Sequence, residues 1–178
     1  EQMWKQVEVL DQKHLPKSAI QELRKIYEYA KQEKNVSQMM KAHLTRASLC
    51  IDITPDSLDS ELSALKAWME EEKDTVYQAI LNNLLGYYIL DTGKKDETAI
   101  DTAIAYFQRS LQDKEILFRK SAVDYHPMTN SKELSEKYCG DNMYQLLARQ
   151  AISRLSGYFI ANPVSAEKIQ NEILSIYD

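Results

Sequence analysis

The chain has 178 residues, 44% hydrophobic and 28% charged, with only four glycines and four prolines. That length can bury a real core, and so few turn-forming residues exclude most all-β architectures, which need many tight turns. A formal charge of −5 at pH 7, with no dense Lys/Arg stripe, argues against nucleic acid and anionic lipid as partners, since neutralising phosphates supplies most of such affinity.

Position 1 is Glu and no charged-then-apolar leader follows it, so the sequence is expected to be a mature or trimmed chain. No apolar run approaches the roughly 18 residues that span a bilayer, which predicts no direct membrane span.

Trp4, Val7 and Leu10 recur at a helical spacing of three, predicting a short helix over 2–13. Leu15-Pro16 punctuates it, and Pro16 suits the first turn of a second helix. That helix turns Ala19/Ile20, Leu23, Ile26/Tyr27 and Ala30 inward and closes at Asn35. A third helix, 36–52, presents Val36, Met40, Leu44, Ala47 and Ile51 as one stripe. Thr54-Pro55-Asp56 breaks the pattern, and Asp56 or Ser57 can cap the next helix. Leu58, Leu62, Leu65 and Trp68/Met69 form its face, which "EEEKD" ends.

A fifth helix, 74–91, carries Val76, Ile80, Leu84 and Tyr87/Tyr88, followed by a loop at "DTGKKDET". A sixth, 97–112, buries Ile100, Ala103/Ile104, Phe107 and Leu111. Residues 113–142 are the least regular part: "KEILFRKSAVDY" allows a short helix, His126-Pro127 breaks it, and "TNSKELSEKYCGDN" reads as polar loop. Residues 142–160 form another helix with Met143, Leu146/Leu147, Ile152 and Leu155, then Tyr158/Phe159. After "ANP", a last helix over 164–177 presents Ala166, Ile169, Ile173 and Ile176.

No segment alternates with period two. The expected architecture is one all-α domain over 1–178, with about 7–9 helices in antiparallel hairpins, a tetratricopeptide-like α-α superhelix. Within "LLGYYILDTGKKDETAIDTAIAYFQRSL", Leu85-Gly86 resembles the Leu-Gly of the tetratricopeptide pattern, and Ala103 with Phe107 reproduces its Ala-x₃-Phe. Small Gly and Ala let paired helices approach, and the aromatic ring fills the groove beside them. The interval from Gly86 to Ala103 is longer than that repeat uses, so regular repeats are not expected.

Catalytic and metal chemistry find no constellation. His14, His43 and His126 lack a second His or Cys at three or four residues, the spacing a helical metal site uses. His43 sits beside the third helix's stripe and reads as a packed or interfacial side chain. The acidic runs Glu70-Glu71-Glu72 and Asp96-Glu97 read as solvated surface rather than carboxylates facing across a cleft. There is no phosphate-cradling Gly-rich loop and no Gly-x-Ser-x-Gly elbow. Cys50 reads as a small buried hydrophobe and Cys139 as a loop residue, both expected to be free thiols. No enzyme activity, cofactor or metal is therefore expected. Eleven tyrosines are the unusual count; they suit both helix–helix packing and binding surfaces. Tyr87, Tyr88, Tyr106 and Phe107 are the candidate partner groove.

Three segments in order carry a family resemblance. Trp4, Lys5 and Val7, then Leu15, Pro16, Lys17, Ser18 and Ala19 and the Lys-rich helix to Asn35, resemble the opening of Bacteroidetes-type large alpha-2-macroglobulin-like envelope proteins. "VYQAILNNLLGYYILDTGKKDETAIDTAIAYFQRSLQDKEIL" is similar to that family's second helical block, ending in Ser110, Leu111 and Asp113. "MYQLLARQAISRL" resembles a third motif through Tyr144, Leu147, Ala148 and Ala151, with Gln145 where the family has Asp.

The resemblance implies a non-catalytic helical interaction or scaffold module ahead of a string of macroglobulin β-sandwich domains. It implies export to the cell envelope, periplasmic or at the surface, with a lipid anchor on a removed N-terminus. The implied partners are the downstream macroglobulin domains of the same chain or another envelope protein, in a protease-inhibitor or defence setting. The alternative is a free-standing tetratricopeptide-like adaptor for a peptide or protein. Cys139-Gly140-Asp141-Asn142 has the spacing of the family's downstream Cys-x-Glu-Gln thioester. Both following side chains are one methylene short, so no thioester is expected there.

Overall fold

Where apolar residues recur at helical spacing the chain is helical, and where Pro or Asn interrupts them it turns. The computed structural model describes residues 1–51, 53, 55–92, 97–122, 140–161 and 166–177. Among these it has nine α-helices and no strand: α1 Gln2–Gln12, α2 Pro16–Gln32, α3 Val36–Ile51, α4 Pro55–Glu71, α5 Thr75–Thr92, α6 Glu97–Leu111, α7 Lys114–Arg119, α8 Met143–Ala161 and α9 Ala166–Tyr177. The all-α expectation stands. The expectations for His126-Pro127, for Tyr125, Tyr138 and Cys139, for the loop centred on Gly93 and for Asn162-Pro163 lie outside the described residues.

Local chemistry sets the helix ends. Pro16 occupies the first turn of α2, where its missing N–H costs nothing. Asp74 caps α5, its Oδ1 accepting from the N–H groups of Val76 and Tyr77 at 2.9 and 3.0 Å. Asn142 and Gln145 open α8 reciprocally: Asn142 Oδ1 accepts from Gln145 N at 2.8 Å, and Gln145 Oε1 accepts from Asn142 N at 3.0 Å. An isolated antiparallel bridge pairs Ser121 with Asn142, with Met143 N donating to Lys120 O at 2.7 Å.

The described residues gather in two compact units, residues 1–63 and residues 64–122 with 140–177. In the first, α1 packs on α2 and α2 on α3. Its core joins Val7, Leu23, Ile26 and Ala42, edged by Met3, Trp4, Tyr27 and Leu49. In the second, α5 packs on α6, and α8 packs on α5, α6, α7 and α9. Leu90, Ile100, Ala103, Phe107, Ala151, Leu155 and Ile169 form one buried cluster of it.

The Gly-and-Ala packing expected around Phe107 is present. Phe107 is fully buried, and a Cβ added at Gly86 would lie 2.8 Å from its ring. Only glycine therefore lets the ring lie flat on α5. In α3 the buried face is wider than the apolar stripe. His43, Arg46 and Cys50 are buried beside Met40 and Ala47, whereas Leu44 is only half-buried.

Candidate functional site

Two short turns bring the first three helices together. After Gln12 and Gln32 the chain leaves the helix through a left-handed residue, His14 (φ 54°) and Lys34 (φ 55°). In each turn that residue's N–H and the next one reach back to carbonyls of the last turn. His14 N donates to Asp11 O and Leu15 N to Leu10 O; Lys34 N donates to Lys31 O and Asn35 N to Ala30 O. This is the Schellman arrangement, built here without glycine. Asn35 also starts the next helix, its Oδ1 accepting from Gln38 N at 3.2 Å.

The result is a cleft of ≈ 380 Å³ within the first unit. Met3 and Trp4 come from α1, Ile26, Tyr29 and Ala30 from the last turns of α2, and Gln38 from the first turn of α3. Glu1, Glu33 and Asn35 complete its rim. Ile26 and Ala30 are almost fully buried and form an apolar floor, while Tyr29 is 59% exposed. Trp4 is held in place: its indole Nε1 donates to Gln38 Oε1 at 2.8 Å, and Lys41 Nζ sits 4.3 Å from the ring centroid. A ring fixed by its hydrogen bond has little remaining freedom, and the Lys41 ammonium occupies part of its surface.

Of the four residues expected to form a partner groove, two are inside the protein. Phe107 is fully buried and Tyr88 is 4% exposed, so neither offers a surface to a partner. Tyr87 and Tyr106 are half-buried. Tyr87 lies 5.4 Å from the Tyr88 ring and under the Arg154 guanidinium at 4.1 Å, and Arg154 Nη1 also donates to Asn83 Oδ1 at 2.8 Å. Tyr106 is covered by Arg109 at 5.2 Å. The Arg154 contacts brace α5 against α8, and the Arg109 contact lies within α6.

A polar cluster also lies inside the first unit. Arg46 Nε meets Glu61 Oε2 at 2.6 Å, and His43 Nδ1 lies 3.6 Å from the same oxygen. All three side chains are buried, and Arg46 also covers the Tyr27 ring at 5.6 Å. Burial, with a smaller contribution from the Arg46 charge, lowers the His43 pKa from 6.5 to about 3, so the imidazole is neutral. Cys50 is a free, buried thiol whose pKa is pushed up, first by burial and then by Glu61. Among the described residues no group of three His, Cys, Asp or Glu side chains could hold a metal ion, and no helix is long and apolar enough to cross a membrane. Asn142, the last member of the thioester-like tetrapeptide, spends its side chain on the α8 cap.

The Trp4–Tyr29 cleft was not singled out by residue pattern, although a signal existed. Tyr29 falls out of phase with the Ile26/Ala30 face, and an aromatic on the outer face of an amphipathic helix is a surface anchor rather than core. Comparison of the chain with protein families, curated proteins and solved structures finds no match.

Proposed function

We propose that this chain is a non-catalytic helical interaction module that receives a protein partner at the Trp4–Tyr29 cleft. The observation that carries this reading is a pre-positioned tryptophan beside a tyrosine that is 59% exposed over an apolar floor. Trp and Tyr dominate the energetics of protein interfaces, above all where a concave floor excludes water around them. The ordered motifs from Trp4 to Ala151 support placing the module at the N-terminal side of an alpha-2-macroglobulin-like envelope protein. There its partner would be a macroglobulin-type domain of the same chain or a neighbouring envelope protein.

The test replaces Tyr29 by a photo-crosslinking residue in the protein's native host. An adduct of defined mass at position 29, lost when Trp4→Ala is added, is expected. A yield no higher than that from the same residue placed at exposed Gln21 would overturn the reading. Sequencing the gene past the Asp178 codon tests the placement. Tandem β-domains are expected there, and an immediate stop codon would remove that part.

A second reading, a tetratricopeptide-like peptide adaptor, is favoured by one feature. Gly86, Ala103 and Phe107 pack α5 on α6 in the manner that repeat uses.

A further inference from the structure

If the Trp4–Tyr29 cleft receives a protein partner, its chemistry specifies which side chain that partner must present. The floor formed by Met3, Ile26 and Ala30 is apolar, two aromatic rings wall it, and Glu1 and Glu33 stand at its rim. Glu33 has no ion-pair partner among the described residues, while Glu1 carries an α-ammonium group beside its carboxylate, so Glu33 is the rim's net anion. Trp4 already holds one cation, the Lys41 ammonium, over its ring.

A purely apolar side chain entering this space would leave the rim carboxylate without a partner. An anion would meet it directly. A long side chain with an apolar stem and a cationic head satisfies both regions at once. Arginine fits best, because its planar guanidinium can lie on an aromatic face while pairing with a carboxylate through parallel N–H groups. The volume, ≈ 380 Å³, lies at the small end of ligand clefts, roughly 300–1,000 Å³, and so suits one such side chain rather than a length of peptide.

We infer that the Trp4–Tyr29 cleft is a receptor for an arginine side chain presented by the partner, which rests on the cleft being the partner site. The aliphatic stem would rest against Met3 and Ile26, and the guanidinium would lie beside the aromatic rings facing Glu33. Lys41 is then an internal competitor, since its ammonium holds the same tryptophan and repels the incoming charge. Removing it strengthens binding.

The experiment titrates the nitrogen-labelled chain at neutral pH with N-acetyl-arginine methylamide, and in parallel with its neutral isostere N-acetyl-citrulline methylamide. Amide and indole NMR signals are followed. The arginine compound is expected to move the Trp4 indole N–H and the Tyr29 and Glu33 amides, with about fivefold preference over citrulline. Glu33→Gln should weaken it about threefold, and Lys41→Gln should strengthen it. Equal response to both compounds, no response to either, or weaker binding in Lys41→Gln would overturn the inference. In any of those cases a Tyr29 adduct in the crosslinking experiment would leave the interaction reading standing. A crosslinking yield at position 29 no higher than at Gln21 would remove both.

Discussion

Glu61 offers one carboxylate oxygen to two neighbours, Arg46 at 2.6 Å and His43 at 3.6 Å. The first is a charge-assisted hydrogen bond; the second is too long to be one. His43 is therefore kept neutral by its surroundings rather than drawn into an ion pair, and its pKa falls to about 3. The unfolded chain, with its histidine near 6.5, binds that proton throughout the interval between the two values. Stability from this group is thus fully present above pH 6.5 and drains away as the pH drops toward about 3. The loss approaches about 1.4 kcal/mol per pH unit in mid-window. Urea titrations at several acidic pH values should therefore show a steeper fall for the native protein than for His43→Gln. Parallel slopes would mean that the imidazole titrates normally. Little in the sequence announces this cluster. His43 is legible as a packed residue beside an apolar stripe, but its proximity to Glu61 is a tertiary fact that no helical period encodes.

At the scale of elements, the turns after α1 and α2 are built alike and are both strained. His14 and Lys34 adopt a left-handed backbone that costs an L-residue about 1–2 kcal/mol and glycine nothing. Glycine also loses more freedom on folding, which offsets part of the gain. His14→Gly and Lys34→Gly should each raise stability by about 0.5–1 kcal/mol, read as an upward shift of the thermal midpoint. A drop for either would mean that the side chain makes a contact worth more than the strain. The helix ends at Pro16 and Asn35 were readable from the sequence because those residues act through bonds within a few residues. The cap expected at Asp56 or Ser57, by contrast, falls inside α4, which already begins at Pro55, and the Asp74 cap was not singled out. The inward faces of α2, α6 and α9 were readable because each helix has a polar side to contrast with them. The face of α5 was not. Thr75–Thr92 is apolar around most of its circumference and buried on nearly all sides, so periodicity could not say that Tyr88 points inward while Tyr87 meets Arg154. For the same reason Tyr88 was expected to line a groove, although it is buried. The Ala-x₃-Phe spacing did mark Phe107 correctly as a packing residue, and its own logic argued against offering that ring to a partner.

For the molecule as a whole, the two compact units divide the chain's two tryptophans between them. Trp4 belongs to the first unit, and Trp68, buried with its indole N–H on Glu72 Oε2 at 3.3 Å, to the second. Trp68→Phe and Trp4→Phe variants therefore give each unit its own fluorescence signal. Denaturant titrations of the two should have separate midpoints where the units unfold independently, because each midpoint is the ratio of a unit's own stability to its own denaturant sensitivity. Coincident transitions would show a single cooperative structure. Trp4 stands both at the edge of the first core and in the wall of the cleft, so recognition and local stability share one chromophore. By linkage, a bound ligand protects only the structure that holds it. Occupancy of the cleft should thus be visible as a selective hardening of one half of the protein, and a melting experiment becomes a binding assay that reports which half was engaged.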